Sequence, residues 1–177
     1  MSLADLLVSL AVLGLVMTST VAVLQQGLQA YAFGAARVEV QQSARIALVR
    51  MAGEIRGAGY SAPGASFDAI TAAEPTRIVL QVDANGDGKI AGNGETVTWL
   101  LRGTILRRDA GGGAQPIVNG VRSLAFVYLD KDGNVTPVPG AVRTVVITLT
   151  TEPDHAASAF AAGVASTFTT DVRLRNR

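Results

Sequence analysis

The run LLVSLAVLGLVMTSTVAVL, from Leu6 to Leu24, contains no charged residue, and only Ser9, Gly14 and Thr18-Ser19-Thr20 relieve its apolar character. As a helix rising 1.5 Å per residue, this stretch would be about 28 Å long, close to the hydrocarbon thickness of a bilayer. A helix buried in a soluble core is the alternative, but such helices rarely stay apolar on every face for this length. The run is therefore expected to insert into a membrane. The charge-free character extends beyond it: after Asp5 the next charged residue is Arg37. No Lys or Arg precedes the apolar run and no small-residue cleavage site follows it, which sets it apart from a secretory signal.

Downstream, the same helix is expected to continue through Gln25, Gln26, Leu28, Gln29 and Tyr31 and to turn amphipathic from Arg37. Ala44, Leu48, Met51 and Ile55 fall on one helical stripe, whereas Arg37, Arg45, Arg50, Glu54 and Arg56 lie largely off it. Gly57-Ala58-Gly59 supplies the stop. One helix from the N-terminus to Arg56 would span about 80 Å, its first half suited to lipid and its second half to a packed domain. The pattern divides the chain into a membrane half-helix at 1–24, an amphipathic half-helix at 25–60 and a head at 61–177.

From Arg77 onward the period drops to two and β-branched residues dominate. Strands are expected at 77–82, 95–102, 104–108, 121–129, 142–151 and 167–174, separated by Gly- and Asn/Asp-rich turns. The link Arg102-Gly103-Thr104 is too short for anything but an antiparallel pair. A helix followed by a run of strands predicts an α+β fold, with a long N-terminal helix packed on an antiparallel sheet. Residues 154–166, rich in Ala, read as a loop or a short helix.

Composition narrows the chemistry. The 177 residues include no Cys and one His, so thiolate chemistry, disulfides and multi-histidine metal sites are excluded. A net charge of +1 gives no broad electrostatic footprint for nucleic acid. No nucleotide-binding or hydrolase motif is present, and His155 has acids nearby but no nucleophile, so the chain is not expected to be an enzyme.

Three places carry the remaining signal. Ser2 and Asp5 have capping-box spacing, so Asp5 reads either as a local helix cap or as an acid held for a partner in the membrane, where an unpaired charge is costly. Gly14 offers a point of close helix approach. Asp83-Ala84-Asn85-Gly86-Asp87-Gly88-Lys89-Ile90 matches the first two-thirds of an EF-hand-type loop. Asp83, Asn85, Asp87, the Lys89 carbonyl and Glu95 would ligate Ca²⁺. The match breaks at position twelve, where Gly94 stands and Glu95 comes one residue late. A polar turn between two strands is the competing reading. Finally, Arg173, Arg175 and Arg177 alternate with Val172, Leu174 and Asn176, as a charged edge strand or as an anion or DNA contact.

The start Met1-Ser2-Leu3-Ala4-Asp5-Leu6-Leu7-Val8-Ser9-Leu10, fused to an amphipathic helix and a sheet, resembles the type IV pilin superfamily. Met1 stands where that family has phenylalanine, Asp5 where it has glutamate and Ala22 where many members have proline, while Gly14 matches a frequent glycine. The helix end ALVRMAGEIRGAGY, the acidic loop, Gln115–Val121, Leu124–Asp130 and Thr167–Leu174 are similar to W-type minor pilins and J-type pseudopilins of type II secretion. The resemblance implies a leader removed by a prepilin peptidase, a methylated Met1, and Asp5 pairing with the N-terminal amine of a neighbouring subunit. It also implies a single inner-membrane span with the head outside the cytoplasm, then a filament of like or different subunits, as a minor or a principal component. Charge alone would keep the Arg37 side cytoplasmic, and the basic leader reverses that orientation.

Overall fold

A continuous helix forms because nothing between Ser2 and Gly57 breaks it: this stretch holds no proline, and its apolar residues favour or tolerate helix. The computed structural model describes residues 2–154 and 163–176. Its helix α1 runs Leu3–Gly57, 55 residues, or about 80 Å. Ser2 is the N-cap of a complete capping box with Asp5. At the other end the Ala58 N–H bonds back to Ile55, and Gly59 turns the chain away with φ +79°. A Cβ on Gly59 would lie 2.9 Å from the Ala69 methyl, so both backbone angle and space select glycine there.

The two halves of α1 meet different surroundings. From Leu3 to Leu28 every residue is exposed. Beyond that, Ala36, Val40, Ala44, Ala47, Met51 and Ile55 form a buried stripe at helical spacing. Leu48, expected on that stripe, borders it, and Ala47 takes the centre because a methyl lets the helix lie closer to the strands. Arg37, Arg45, Arg50 and Arg56 stay exposed. Glu54 departs from the expected solvated face and points onto the strands.

The head is all-antiparallel, in two sheets rather than one. β1 (Ile70–Glu74), β2 (Arg77–Gln81), β3 (Thr96–Arg102), β4 (Ile105–Asp109) and β5 (Gln115–Val118) form a meander in chain order. β6 (Val121–Leu129), β7 (Thr144–Thr151) and β8 (Ser166–Arg173) form the second sheet. Two of these strands are absent from the sequence expectation. ITAAE of β1 has little β-branching, and QPIV of β5 holds a proline, tolerated because β5 is an edge strand. β7 begins at Thr144 rather than at 142 because Pro139–Ala141 closes a 3-10 turn capped by Val142. The expectation for 154–166 falls mostly on residues outside those described.

Alternation along β7 buries Val145, Ile147, Leu149 and Thr151, and along β6 it buries Leu124, Phe126 and Tyr128. These side chains meet Met51 and Ile55 of α1 and Ile78, Trp99 and Leu106 of the larger sheet in one core. Each fully buried large apolar side chain contributes roughly 1.5–3 kcal/mol. Tyr128 joins the sheets: its hydroxyl donates to the Glu74 carbonyl at 2.7 Å, with the Arg77 carbonyl at 3.2 Å. Burial, helped by the nearby Glu74 charge, pushes its phenol well above the ordinary range.

Polar bonds fix the helix against both sheets. Glu54 accepts from the Trp99 indole N–H at 2.6 Å and pairs with the Arg108 guanidinium at 2.7 Å, while Arg50 stands further off at 3.8 Å. On the other side the buried Thr151 hydroxyl donates to the Val40 carbonyl, and the Asn176 amide donates to the carbonyls of Gly57 and Ala58. Replacing Glu54 by Ala leaves the fully buried Trp99 N–H without an acceptor, which should lower stability by about 2–3 kcal/mol. Urea unfolding of the full chain in detergent, followed by fluorescence of its one tryptophan, measures this; Glu54→Gln, which keeps an acceptor, is expected to lose less.

Candidate functional site

The helix α1 is long and apolar enough to cross a membrane, and none of its most apolar stretch is buried within the chain. Its hydroxyls are satisfied internally: Ser9 donates to the Asp5 carbonyl, Thr18 to that of Gly14, and Ser19 and Thr20 to that of Val16, at 2.7–2.8 Å. Such back-bonding leaves no hydroxyl of the span in need of water, the condition for residence in hydrocarbon. Gly14 is bare on its outer face, with nothing within 4 Å of an added Cβ. That gap admits another helix at close range.

At the tip, Asp5 Oδ2 accepts the Ser2 N–H at 3.0 Å, and the Asp5 N–H donates to the Ser2 hydroxyl at 3.2 Å. The local capping role is thus realised. Asp5 Oδ1 has no hydrogen-bond partner among the described residues. Met1, expected as the processed terminus, lies outside the described residues, as do His155 and Arg177.

The acidic loop is built differently from its EF-hand template. Strands β2 and β3 pair Gln81 with Thr96, and the ladder continues as the Val82 N–H bonds to the Glu95 carbonyl at 2.9 Å. That register, rather than a twelve-residue count, returns Glu95 to the start of the loop. Carboxylate oxygens of Asp83, Asp87 and Glu95 lie within 4.8 Å of one another. Asp83 and Glu95 are buried and Asp87 is exposed. Asn85 is bonded to Asp87: its amide donates to the Asp87 carboxylate at 3.1 Å, and its carbonyl oxygen accepts the Asp87 N–H. The Lys89 N–H donates to Asp87.

Asp83 organises the loop. Its Oδ1 accepts the N–H groups of Gly86 and Asp87, and its Oδ2 accepts those of Ala62 and Gly88. The Ala62 bond ties the loop to the segment leaving α1, where the Asp83 N–H also donates to the Tyr60 carbonyl. Gly86 and Gly88 take φ of +78° and +76°, turning their N–H groups inward at angles other side chains resist. The Ala62 N–H above all, with those of Gly88, Gly86 and Asp87, holds the Asp83 carboxyl below its ordinary value against the opposing effect of burial. Asp130 behaves likewise in the turn after β6, held low chiefly by the Asn134 N–H.

Of the C-terminal arginines, Arg173 lies exposed at the end of edge strand β8, opposite Thr144. Arg175 follows the strand and donates its N–H to the Arg56 carbonyl; both line a shallow cavity with Tyr60. Sequence reasoning missed Glu54, whose partners are 45 and 54 residues away in the chain. No protein-family model and no curated protein matches the sequence.

A depressed carboxyl stabilises the fold at neutral pH; that contribution is complete above the ordinary value of 3.8 and is lost as pH falls through the lower folded value. Thermal melting across pH checks this: Asp83→Asn is expected to be less stable than the parent at neutral pH, with the gap narrowing as pH falls below 3.8. Asp130 is common to both proteins and cancels in the difference.

Proposed function

We propose that the chain is a structural subunit of a type IV pilus or a type II secretion pseudopilus, assembled through its N-terminal helix, and is not an enzyme. The observation that carries this reading is the exposed half of α1: from Leu3 to Leu28 an apolar, internally hydrogen-bonded rod stands out from the head with no covering from its own chain. Such a rod needs lipid or other apolar helices around it. On this reading the inner membrane stores the subunit with its head outside the cytoplasm, and assembly replaces lipid by the rods of like or different subunits. Processing and methylation at Met1 would supply the amine that Asp5 receives from a neighbour, and Gly14 would mark a helix crossing. The similarity of the helix end and strands to W-type minor pilins and J-type pseudopilins favours a minor subunit; a principal one is the variant of the same reading.

A second reading, a membrane-anchored head that grips DNA or another polyanion, draws on Arg175 beside Arg56 at the helix exit. Salt-dependent DNA binding lost on replacing Arg56, Arg173 and Arg175 would favour it.

Asp5→Ala tests the filament reading. An unpaired acid among apolar helices is costly, and its docking to an amine should fix register. The variant should keep a folded head and enter sheared filaments about tenfold less often than the parent, as read by quantitative immunoblotting. Equal incorporation would count against the role of Asp5, and rods that never crosslink to one another in cells would remove the filament reading altogether.

A further inference from the structure

The loop between β2 and β3 holds three carboxylates, Asp83, Asp87 and Glu95, and one cationic side chain, Lys89. Among the described residues, ion pairs engage Glu54, Glu74 and Asp132, but none engages Asp83, Asp87 or Glu95. Their oxygens nevertheless lie within 4.8 Å of one another. Two oxygens bound to one Ca²⁺ at about 2.4 Å can be at most about 4.8 Å apart, so this spacing suits a shared ion.

The independent sign is Glu95. Its residue surface is 1% exposed, and its Oε1 has no hydrogen-bond partner among the described residues. The other oxygen, Oε2, accepts the N–H groups of Ala91 and Gly92. A buried carboxylate oxygen with nothing bound to it is unfavourable and is rarely kept without a reason. The backbone also closes on this group: a Cβ at position 92 would lie 2.9 Å from the Glu95 carboxyl carbon, so a side chain there would push the carboxylate out of its present place. The main chain thus holds one Glu95 oxygen in place and leaves the other unpartnered among the described residues, on a carboxylate grouped with two further acids.

We infer that Asp83, Asp87 and Glu95 form a Ca²⁺ site, with Glu95 Oε1 and the exposed Asp87 as its first ligands. Every donor is an oxygen, and the chain has no Cys, which selects a hard cation over a thiophilic one. Asp83 already accepts four N–H groups; the longest of these, 3.1 Å from the Asp87 nitrogen, is the one that yields to the ion. Water and main-chain oxygens of the loop complete a shell of six to eight. Because the Ala62 N–H ties Asp83 to the segment leaving α1, the ion also stiffens the junction between the helix end and the larger sheet. The site owes nothing to how the N-terminal half of α1 is used.

The test is a titration of the chelator-stripped full chain in detergent micelles with CaCl₂, by calorimetry and by thermal melting. One saturable site with a dissociation constant of about 1 mM or tighter, and a melting temperature that rises with CaCl₂, is expected, with MgCl₂ clearly weaker. Asp87→Asn, on the exposed loop, should weaken binding about tenfold, and Glu95→Gln should weaken it further. No saturable heat and an unchanged melting temperature up to about 10 mM CaCl₂ would overturn the site. So would parental affinity in Asp87→Asn, which decides the matter even where Glu95→Gln fails to fold.

Discussion

The close approach of α1 to two sheets at once depends on the small residues in its buried stripe. Ala36, Ala44 and Ala47 keep the helix surface low, while Val40, Met51 and Ile55 fill the gaps left between them. A helix so placed brings its own main chain within reach of the strands. The Thr151 hydroxyl finds the Val40 carbonyl, and the Asn176 amide finds the last carbonyls of the helix. Where the stripe ends, Glu54 reaches across to a strand-borne indole and a guanidinium. A bulkier stripe would lift the helix away and break each of these bonds, because packed interiors do not stretch.

The acidic loop follows from the same economy of register. Two antiparallel strands dictate which residues face each other at their ends, and the pair beyond Gln81 and Thr96 delivers Glu95 to Val82. Asp83 then gathers main-chain N–H groups from the loop and from the segment after the helix. The loop is accordingly a joint between helix exit and sheet as much as a connection between strands.

How far the sequence discloses this architecture depends on the range of the interaction concerned. The α+β class, the length of α1 and its stop near Gly57 are legible, since periodicity, absence of charge and glycine placement are local properties. The β3–β4 hairpin is legible for the same reason. β1 and β5 are not, because alanine-rich and proline-bearing segments acquire strand geometry only from their neighbours. The division into two sheets is equally silent. In the loop, Asp83 and Asp87 stand out by spacing, and Glu95 one place beyond the template; that the three carboxylates converge follows from the strand register. Glu54 looks like one half of a surface pair with Arg50; only the fold reveals that Trp99 and Arg108 claim it.

The hydroxyls along the exposed half of α1 have one more consequence. Since Ser9, Thr18, Ser19 and Thr20 each bond to a carbonyl of their own helix, no hydroxyl between Leu6 and Leu24 is left as a donor whose loss of solvent must be compensated. Sliding it out of one greasy environment and into another leaves its internal bonding untouched. The rod is in that sense portable, and the work of relocating it falls on the acid at its tip and on the amides of Gln25 and Gln26 at its other end.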